Sequence, residues 1–428
     1  MLRLVVFLLA IWTPFAAFAD VVDDSFAVDF EHIAAIAPPP GTVINASNFE
    51  QYSEILDDNI SQVIAQGMLE ITVRETYSID PFPAYLDATR AHLGKTQLGD
   101  QPGVIHGYVA GRPFPEGPSL DDPRAGDKIA WNTRYAFAPD SSEIKHFYWQ
   151  YRNIHRNKIE RELSFYASQL RFKHRHHTNP IPALPNNNAG IYFGLYLRVL
   201  APPDLRNTQV LIHRLEDDTE RDQTWLYVGT QRRVRRLASG QTTDAFLGSD
   251  IMIEDFLGYN GRIMDMKWTY HGTRYLLVPF FDHDEVRLVE HGSQPDGFKF
   301  VDFHGAGNCF ADVPWQVRKV YLGEAVPYWD QHPLSKRRGY VDAQTYNRVL
   351  GYNYDRAGKL WKVGYGAFSH PDRHHPANKG TGTPVIDAAV MVDVQAQHCT
   401  TLQFKSLSNP SGVKASDFSV QALRVKGR

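Results

Sequence analysis

The chain has 428 residues, with 45 Lys and Arg against 48 Asp and Glu, for a net charge of −3. That near-balance excludes general nucleic-acid binding, which draws its affinity from a basic surface. The length is enough to bury a large core, as one big β domain or as two domains, and the abundance of Tyr (21) and Phe (24) favours strands.

Residues 1–19 read as an export leader. Arg3 and the amino terminus give a positive start, and Leu4 to Trp12 is an apolar run too short to span a bilayer as a stable helix. Ala17-Phe18-Ala19 is a small-x-small cleavage pattern, which predicts cleavage after Ala19 and a mature start at Asp20. No cysteine follows that site to carry an acyl anchor, and no later stretch is apolar for long enough to cross a membrane. The expectation is a soluble periplasmic protein with no transmembrane segment once the leader is removed. Residues 20–40, ending in Pro38-Pro39-Pro40, read as a stiff linker to a single large domain over 20–428.

Ser47-Asn48-Phe49-Glu50 is a capping box, and Phe49, Tyr52, Leu56, Ile60, Val63 and Ile64 follow at helical spacing. One helix is predicted there, stopping at Gly67. Leu69 to Tyr77 alternates as a strand. Gly94 to Trp131 is rich in Gly, Pro and Asp and reads as a long loop. From Ile144 the texture changes. Phe147, Trp149 and Tyr151 alternate with His146, Tyr148, Gln150 and Arg152, giving a strand with one aromatic face. Further strands are predicted over Ile191–Leu200, Thr208–Leu215, Thr224–Leu237, Val317–Val326, Arg338–Val363 and Ala388–Phe404. A hairpin is predicted around Gly272, and a tight turn at Tyr354 to Gly358. One helix among many strands, with no βαβ alternation and no internal repeat, predicts a mainly β fold built on a large, curved, antiparallel sheet with few helices.

Several groups are candidates for chemistry. Cys309 and Cys399 are a disulfide in an oxidising compartment, stabilising by about 4 kcal/mol, or two separate buried thiols. His174 and His176 share a strand face, and His370, His374 and His375 form a second group. Flanking arginines would repel a cation and neither spacing matches a zinc template, so solvated loop histidines are favoured and no metal is expected. Gly248-Ser249-Asp250 lacks the second glycine of a nucleophile elbow, and Gly305-Ala306-Gly307 is a lone fragment of a dinucleotide fingerprint. No catalytic residue and no cofactor is assigned. In Arg232-Arg233-Val234-Arg235-Arg236, Arg233 and Arg235 face one way and Arg232 and Arg236 the other. One pair can fork an anionic headgroup. The favoured alternative is a local network with Asp250, Glu254 and Asp255.

The order of motifs resembles domain-of-unknown-function family 1329. It is carried by Gly41 to Asn45, Ala110 to Pro115, Asp122 to Asn132, Arg232 to Arg236, Gly248-Ser249-Asp250, Glu254-Asp255-Phe256, Gly339 to Asp342 and Tyr354 to Lys362. That family is similar to the periplasmic carriers that sort lipoproteins to the outer membrane. The resemblance implies a half-open barrel with a helix in its concave face and an apolar cavity between them. It transfers no catalytic residue. On that frame Phe147, Trp149, Tyr151, Trp225 and Tyr227 are candidate cavity residues, and Arg233 and Arg235 candidate headgroup ligands. The expected function is a non-catalytic carrier of a lipid or hydrophobic molecule. The alternatives are a subunit docking to an envelope transporter or outer-membrane partner through the long Gly/Pro loops, and an exported metal-dependent hydrolase.

Overall fold

The computed structural model describes residues 21–237 and 242–427. The predicted leader, the start at Asp20 and residues 238–241 lie outside the described residues.

One wing of the sheet is β1 (Ser141–Asn153), β2 (Lys158–Arg171), β3 (Ile191–Ala201), β4 (Gln209–Leu215), β5 (Gln223–Val228) and β6 (Arg233–Arg236), in that order outward. The other wing is β7 (Met266–Val278), β8 (Gln316–Pro327), β9 (Leu334–Asp342), β10 (Arg348–Asp355), β11 (Leu360–Ser369), β12 (Val385–Asp393) and β13 (His398–Ser408). β13 pairs with β1 and joins the wings, giving the order β6-β5-β4-β3-β2-β1-β13-β12-β11-β10-β9-β8-β7. The short strand Phe280–Phe281 adds in parallel to β11 and brings the sheet to fourteen strands. All the other neighbours are antiparallel, most of them joined in sequence order. Among the described residues β6 and β7 are unpaired edges, and the sheet is open. The architecture is the mainly β, large-sheet fold expected from sequence.

Register assigns each residue to a face. Leu226, Val210, Leu197, Ala167 and Ile144 lie side by side across the first wing and belong to one apolar cluster, with Phe147, Trp149, Leu402 and Phe404. The opposite face, here the back face, has two covers. N-terminal segments, with Ile60, Ile64, Ile71 and Trp315, pack on Tyr340, Tyr352 and Tyr365. The C-terminal helix, α6 (Val420–Lys426), and Phe418 pack on Tyr196, Leu211 and Tyr227. The Cys309–Cys399 disulfide, with Cα atoms 5.9 Å apart, ties the back-face segment around Cys309 to β13.

Among the described residues, further helices on the sheet are α1 (Phe30–Ile36), α2 (Asp58–Ala65), α3 (Pro83–Ala91), α4 (Ala125–Arg134) and α5 (Pro371–His374). The segment read as a linker carries α1 and buries Val22 and Ile33. The single helix predicted from Phe49 to Ile64 is broken. A 3-10 segment, Phe49–Ile55, ends before Asp57, whose carboxylate accepts the N–H groups of Asn59 and Ile60 and so caps α2. Ser47 instead donates its hydroxyl to Asn45. In Leu69 to Tyr77 only Ile71–Thr72 is a strand, paired with Val43–Ile44. The loop read over Gly94 to Trp131 contains most of α4. A Cβ at Gly126 would lie 2.5 Å from the Trp268 carbonyl carbon. Glycine lets the helix touch the β7 backbone. Around Gly272 there is no hairpin. β7 runs through, with a bulge between Tyr270 and Thr273 where Gly272 has φ +113°.

Candidate functional site

α4 and the segment from Ile251 to Asn260 lie over the face opposite the back-face cores. Between them and the sheet is a cavity of about 420 Å³. Ile129 and Ala130 of α4, Phe147, Trp149, Leu195, Leu197, Val341, Met391, Leu402 and Phe404 of the sheet, and Ile251 and Phe256 of the overlying segment make most of its wall apolar. Leu257, 57% exposed, stands at the rim.

The floor has an unusual composition. Gly323 of β8 pairs with Gly339 of β9, Gly339 with Gly351 of β10, and Gly351 with Gly364 of β11. Four adjacent strands therefore present bare backbone at one level, and all four glycines line the cavity. Strand glycine is destabilising by roughly 0.5–1 kcal/mol relative to alanine, so a row of them calls for a cause. The fold explains two. A Cβ at Gly339 would meet the Leu350 carbonyl oxygen at 2.7 Å, and one at Gly364 would meet Met391 Sδ at 3.0 Å. It does not explain the others: the nearest atoms would be 4.0 Å away at Gly323 and 3.8 Å at Gly351, and neither has a positive φ. A methyl would fit at both positions in ordinary van der Waals contact, and the space beyond them is the cavity.

The overlying segment is strapped down by charges. Glu254 and Asp255 both bond Arg337 of β9, Glu254 at 2.6 Å, and all three side chains are almost fully buried. His332 Nε2 adds a contact to Glu254 at 3.0 Å. Burial opposes the Glu254 charge, but Arg337 and His332 outweigh it and bring the pKa to about 2. Asp250 accepts from Thr400 Oγ1 at 2.7 Å and meets His398 at 2.9 Å, and Lys362 donates to its carbonyl at 2.6 Å. Arg214 donates to the carbonyl of Asn260. The acids expected to pair with Arg232 to Arg236 thus take partners from β9, β13 and β11 instead. A local network was the wrong reading because the intervening loop carries the acids over the cavity, away from β6.

The predicted site residues separate. Phe147 and Trp149 line the cavity. Tyr151 shares their face but bonds the Leu247 carbonyl at 3.1 Å, beyond the lining. Trp225 and Tyr227 are on the back face, where Tyr227 bonds the Gly427 carbonyl at 2.9 Å. The phase of β5 is set by Leu226, and a shift of one residue exchanges faces. Arg233 and Arg235 are exposed on the edge strand and are not among the lining residues. Arg235 bonds Gln231 at 2.8 Å. A basic edge also discourages strand addition from another chain.

Of the five candidate histidines, His174, His176 and His374 are buried rather than solvated, and His370 and His375 are half-buried. His174 bonds the Val109 carbonyl at 2.7 Å and His176 lies 3.5 Å from Asp140. Burial, with the Arg171 charge, lowers His176 to about 4. His283, His374 and Asp387 put ligand-type atoms within 4.8 Å of one another. Asp387 is 2.6 Å from His283 Nδ1 and 3.5 Å from His374 Nε2. Asn378 is fixed by the Ser408 N–H and the Ser406 carbonyl, so its amide donates to His374 Nδ1 at 2.9 Å. That leaves the His374 proton on Nε2, facing Asp387. A metal on Nε2 would put an Nδ1–H against the Asn378 NH₂, so these groups fit a carboxylate between two imidazoles better than a metal centre. The Ser249 hydroxyl donates to the Ile251 carbonyl at 3.2 Å and no imidazole bonds it.

The family profile described as a protein of unknown function (DUF1329) matches residues 43–424. The chain belongs to that family. Its motifs had pointed there. The chain is similar to an uncharacterized protein, PA3922, of Pseudomonas aeruginosa: 22% identical over 409 residues, 91% of this chain and 82% of the other. Among solved structures it is similar to a DUF1329 family protein from Desulfovibrio piger, at 15% identity and TM-score 0.48, over 71% of this chain and 99% of that one. It is also similar to a domain described as an outer membrane lipoprotein-sorting protein from Vibrio parahaemolyticus, at 17% identity and TM-score 0.46, over 69% and 97%. A LolA superfamily protein, NE2245, from Nitrosomonas europaea follows at 11% identity and TM-score 0.37, over 68% and 94%. Scores at this level transfer no ligand to this DUF1329 chain.

Sequence reasoning missed the glycine floor, α4 and Arg348, which also lines the cavity. A signal for the floor was present: Gly339-Tyr340, Gly351-Tyr352 and Gly364-Tyr365 repeat one dipeptide in consecutive strands. Each glycine faces the cavity while each tyrosine enters the back-face core.

Proposed function

We propose that this DUF1329 protein is a non-catalytic carrier or accessory protein of the periplasm that binds a lipid chain or similar hydrophobic molecule between α4 and the sheet. The supporting observation is the apolar-walled cavity over the glycine floor, where a methyl at Gly323 or Gly351 would meet no clash. A volume of about 420 Å³ lies in the range of small-molecule sites, about 300–1,000 Å³. The leader pattern of residues 1–19 and the Cys309–Cys399 disulfide support an exported protein in an oxidising compartment, with residues 20–428 as one domain. No helix among the described residues is long and apolar enough to cross a membrane. The test is mass spectrometry of organic extracts from gently purified protein. The reading expects a stoichiometric apolar molecule, absent from extracts of a Gly351→Leu variant. Equal recovery from both proteins would sink it.

A further inference from the structure

Six arginines line the cavity; four are hydrogen-bonded to a carboxylate or a carbonyl, and a fifth has only a long contact to a carboxylate. Arg134 pairs with Asp218, buried together. Arg214 pairs with Asp222 at 2.7 Å, Arg337 with Glu254 at 2.6 Å, and Arg171 donates to the Ala136 carbonyl at 3.0 Å. Arg338, near the rim, is 3.8 Å from Glu324. Arg348 differs. Among the described residues its hydrogen bond is a long one, Nη1 to the Gly258 carbonyl at 3.4 Å, and its Nε is buried without a partner. The nearby carboxylate of Asp255 makes no ion pair with Arg348 within 4 Å and is engaged elsewhere. One oxygen takes Arg337 and the other takes the Met252 N–H at 2.9 Å.

The backbone aims this side chain on purpose. Strict alternation from Gly351, a cavity residue, would turn Arg348 to the back face. The β9–β10 register slips between Tyr340↔Leu350 and Val341↔Arg348, and this irregularity sets Arg348 opposite Val341, on the cavity face. There its Cδ lies 3.8 Å and 3.9 Å from the points where Cβ atoms would stand on Gly339 and Gly351. The stem therefore rests across the glycine floor, while Gly258 of the strap packs over its Cβ. Burial, then the neighbouring Arg337 charge, lowers its pKa to about 10, which marks a site short of negative charge. A cation left in such a wall without a counter-charge is costly, and a guanidinium fork matches carboxylate and phosphate oxygens.

We propose that Arg348 anchors the anionic head of the cavity's ligand, a carboxylate or phosphate monoester at the end of a hydrocarbon chain that lies along the glycine floor. This rests on the carrier reading above. The apolar surroundings (Ile129, Val341, Met391) are what favour a headed chain over a free inorganic anion.

The experiment titrates delipidated full-length protein with dodecanoic acid, dodecyl phosphate, dodecanol and inorganic phosphate, by calorimetry at neutral pH, for the wild type and Arg348→Gln. One charge-assisted contact predicts that at least one headed anion binds roughly ten- to a hundredfold tighter than dodecanol. Arg348→Gln should remove that preference, read as the ratio of anion to dodecanol affinity within each protein, and Arg348→Lys should restore part of it. The order of acid and phosphate names the head. Equal binding of the alcohol and both anions to the wild type overturns the inference but not the carrier, and needs no variant to fold. So does a preference that survives in Arg348→Gln. Binding of inorganic phosphate as tight as that of the amphiphiles overturns the headed chain. Failure of every amphiphile to bind the wild type overturns the carrier reading as well.

Discussion

Removing Arg337 should release the strap over the cavity. In Arg337→Ala, Glu254 and Asp255 keep their burial but lose their counter-charge, with His332 left beside Glu254. Breaking a buried ion pair from one side costs about 3–5 kcal/mol. The Glu254 pKa gives a second route to the size: a fall from 4.5 to about 2 corresponds to roughly 3 kcal/mol. For a domain of about 400 residues, an unfolding entropy near 2.1 cal/mol/K per residue turns ~4 kcal/mol into a Tm loss of roughly 5 °C. The sign with pH follows from a depressed carboxylate. The wild-type contribution is present above pH 4.5 and is lost as pH falls toward 2. The variant's deficit should therefore be greatest near neutrality and shrink below about pH 4.5. Calorimetric melts at pH 7 and pH 4, with limited proteolysis of residues 250–260, measure both. A deficit below ~1 kcal/mol, or one equal at both pH values, would refute the electrostatic strap. Arg337→Met with Glu254→Leu and Asp255→Leu should be less destabilised than Arg337→Ala, because no uncompensated charge remains.

Other consequences concern the frame. The Cys309–Cys399 bond spans 90 residues, so Cys309→Ala with Cys399→Ala should lose roughly 4–5 kcal/mol by the chain-entropy estimate, read from denaturant melts; a loss under ~1 kcal/mol would contradict it. At Asp387, burial works against the His283 cation but the carboxylate outweighs it, raising His283; burial lowers His374. Histidine NMR should place the two on opposite sides of 6.5, and Asp387→Asn should drop His283 below it. The His283 contribution is full below pH 6.5 and fades as pH rises through its elevated pKa, whereas His374 costs stability as pH falls through 6.5. A wild-type His283 titrating below 6.5 would contradict this pairing.

The sheet was legible because period-2 patterning survives wherever one face is buried, as in Phe147, Trp149 and Tyr151. Faces were less legible than strands. Nothing local to β5 says whether Trp225 or Leu226 points to the cavity; that follows from pairing with β4. α4 was hidden because Gly126 serves a helix–strand contact rather than a turn. Arg348 was hidden because a register slip between β9 and β10 reverses its expected face. The partners of Glu254, Asp255 and Asp250 lie on strands β9 and β13, far along the chain, beyond any rule based on neighbouring charges.

We propose that a ligand occupies the cavity beyond Gly323 and Gly351. This claim is tested most directly by titrating a fluorescent fatty-acid probe into wild type, Gly351→Leu and, as a control in open space, Gly412→Leu. The account predicts saturable binding to wild type and Gly412→Leu, and at least a tenfold loss in Gly351→Leu with its melting temperature retained. Unchanged affinity in folded Gly351→Leu would contradict it.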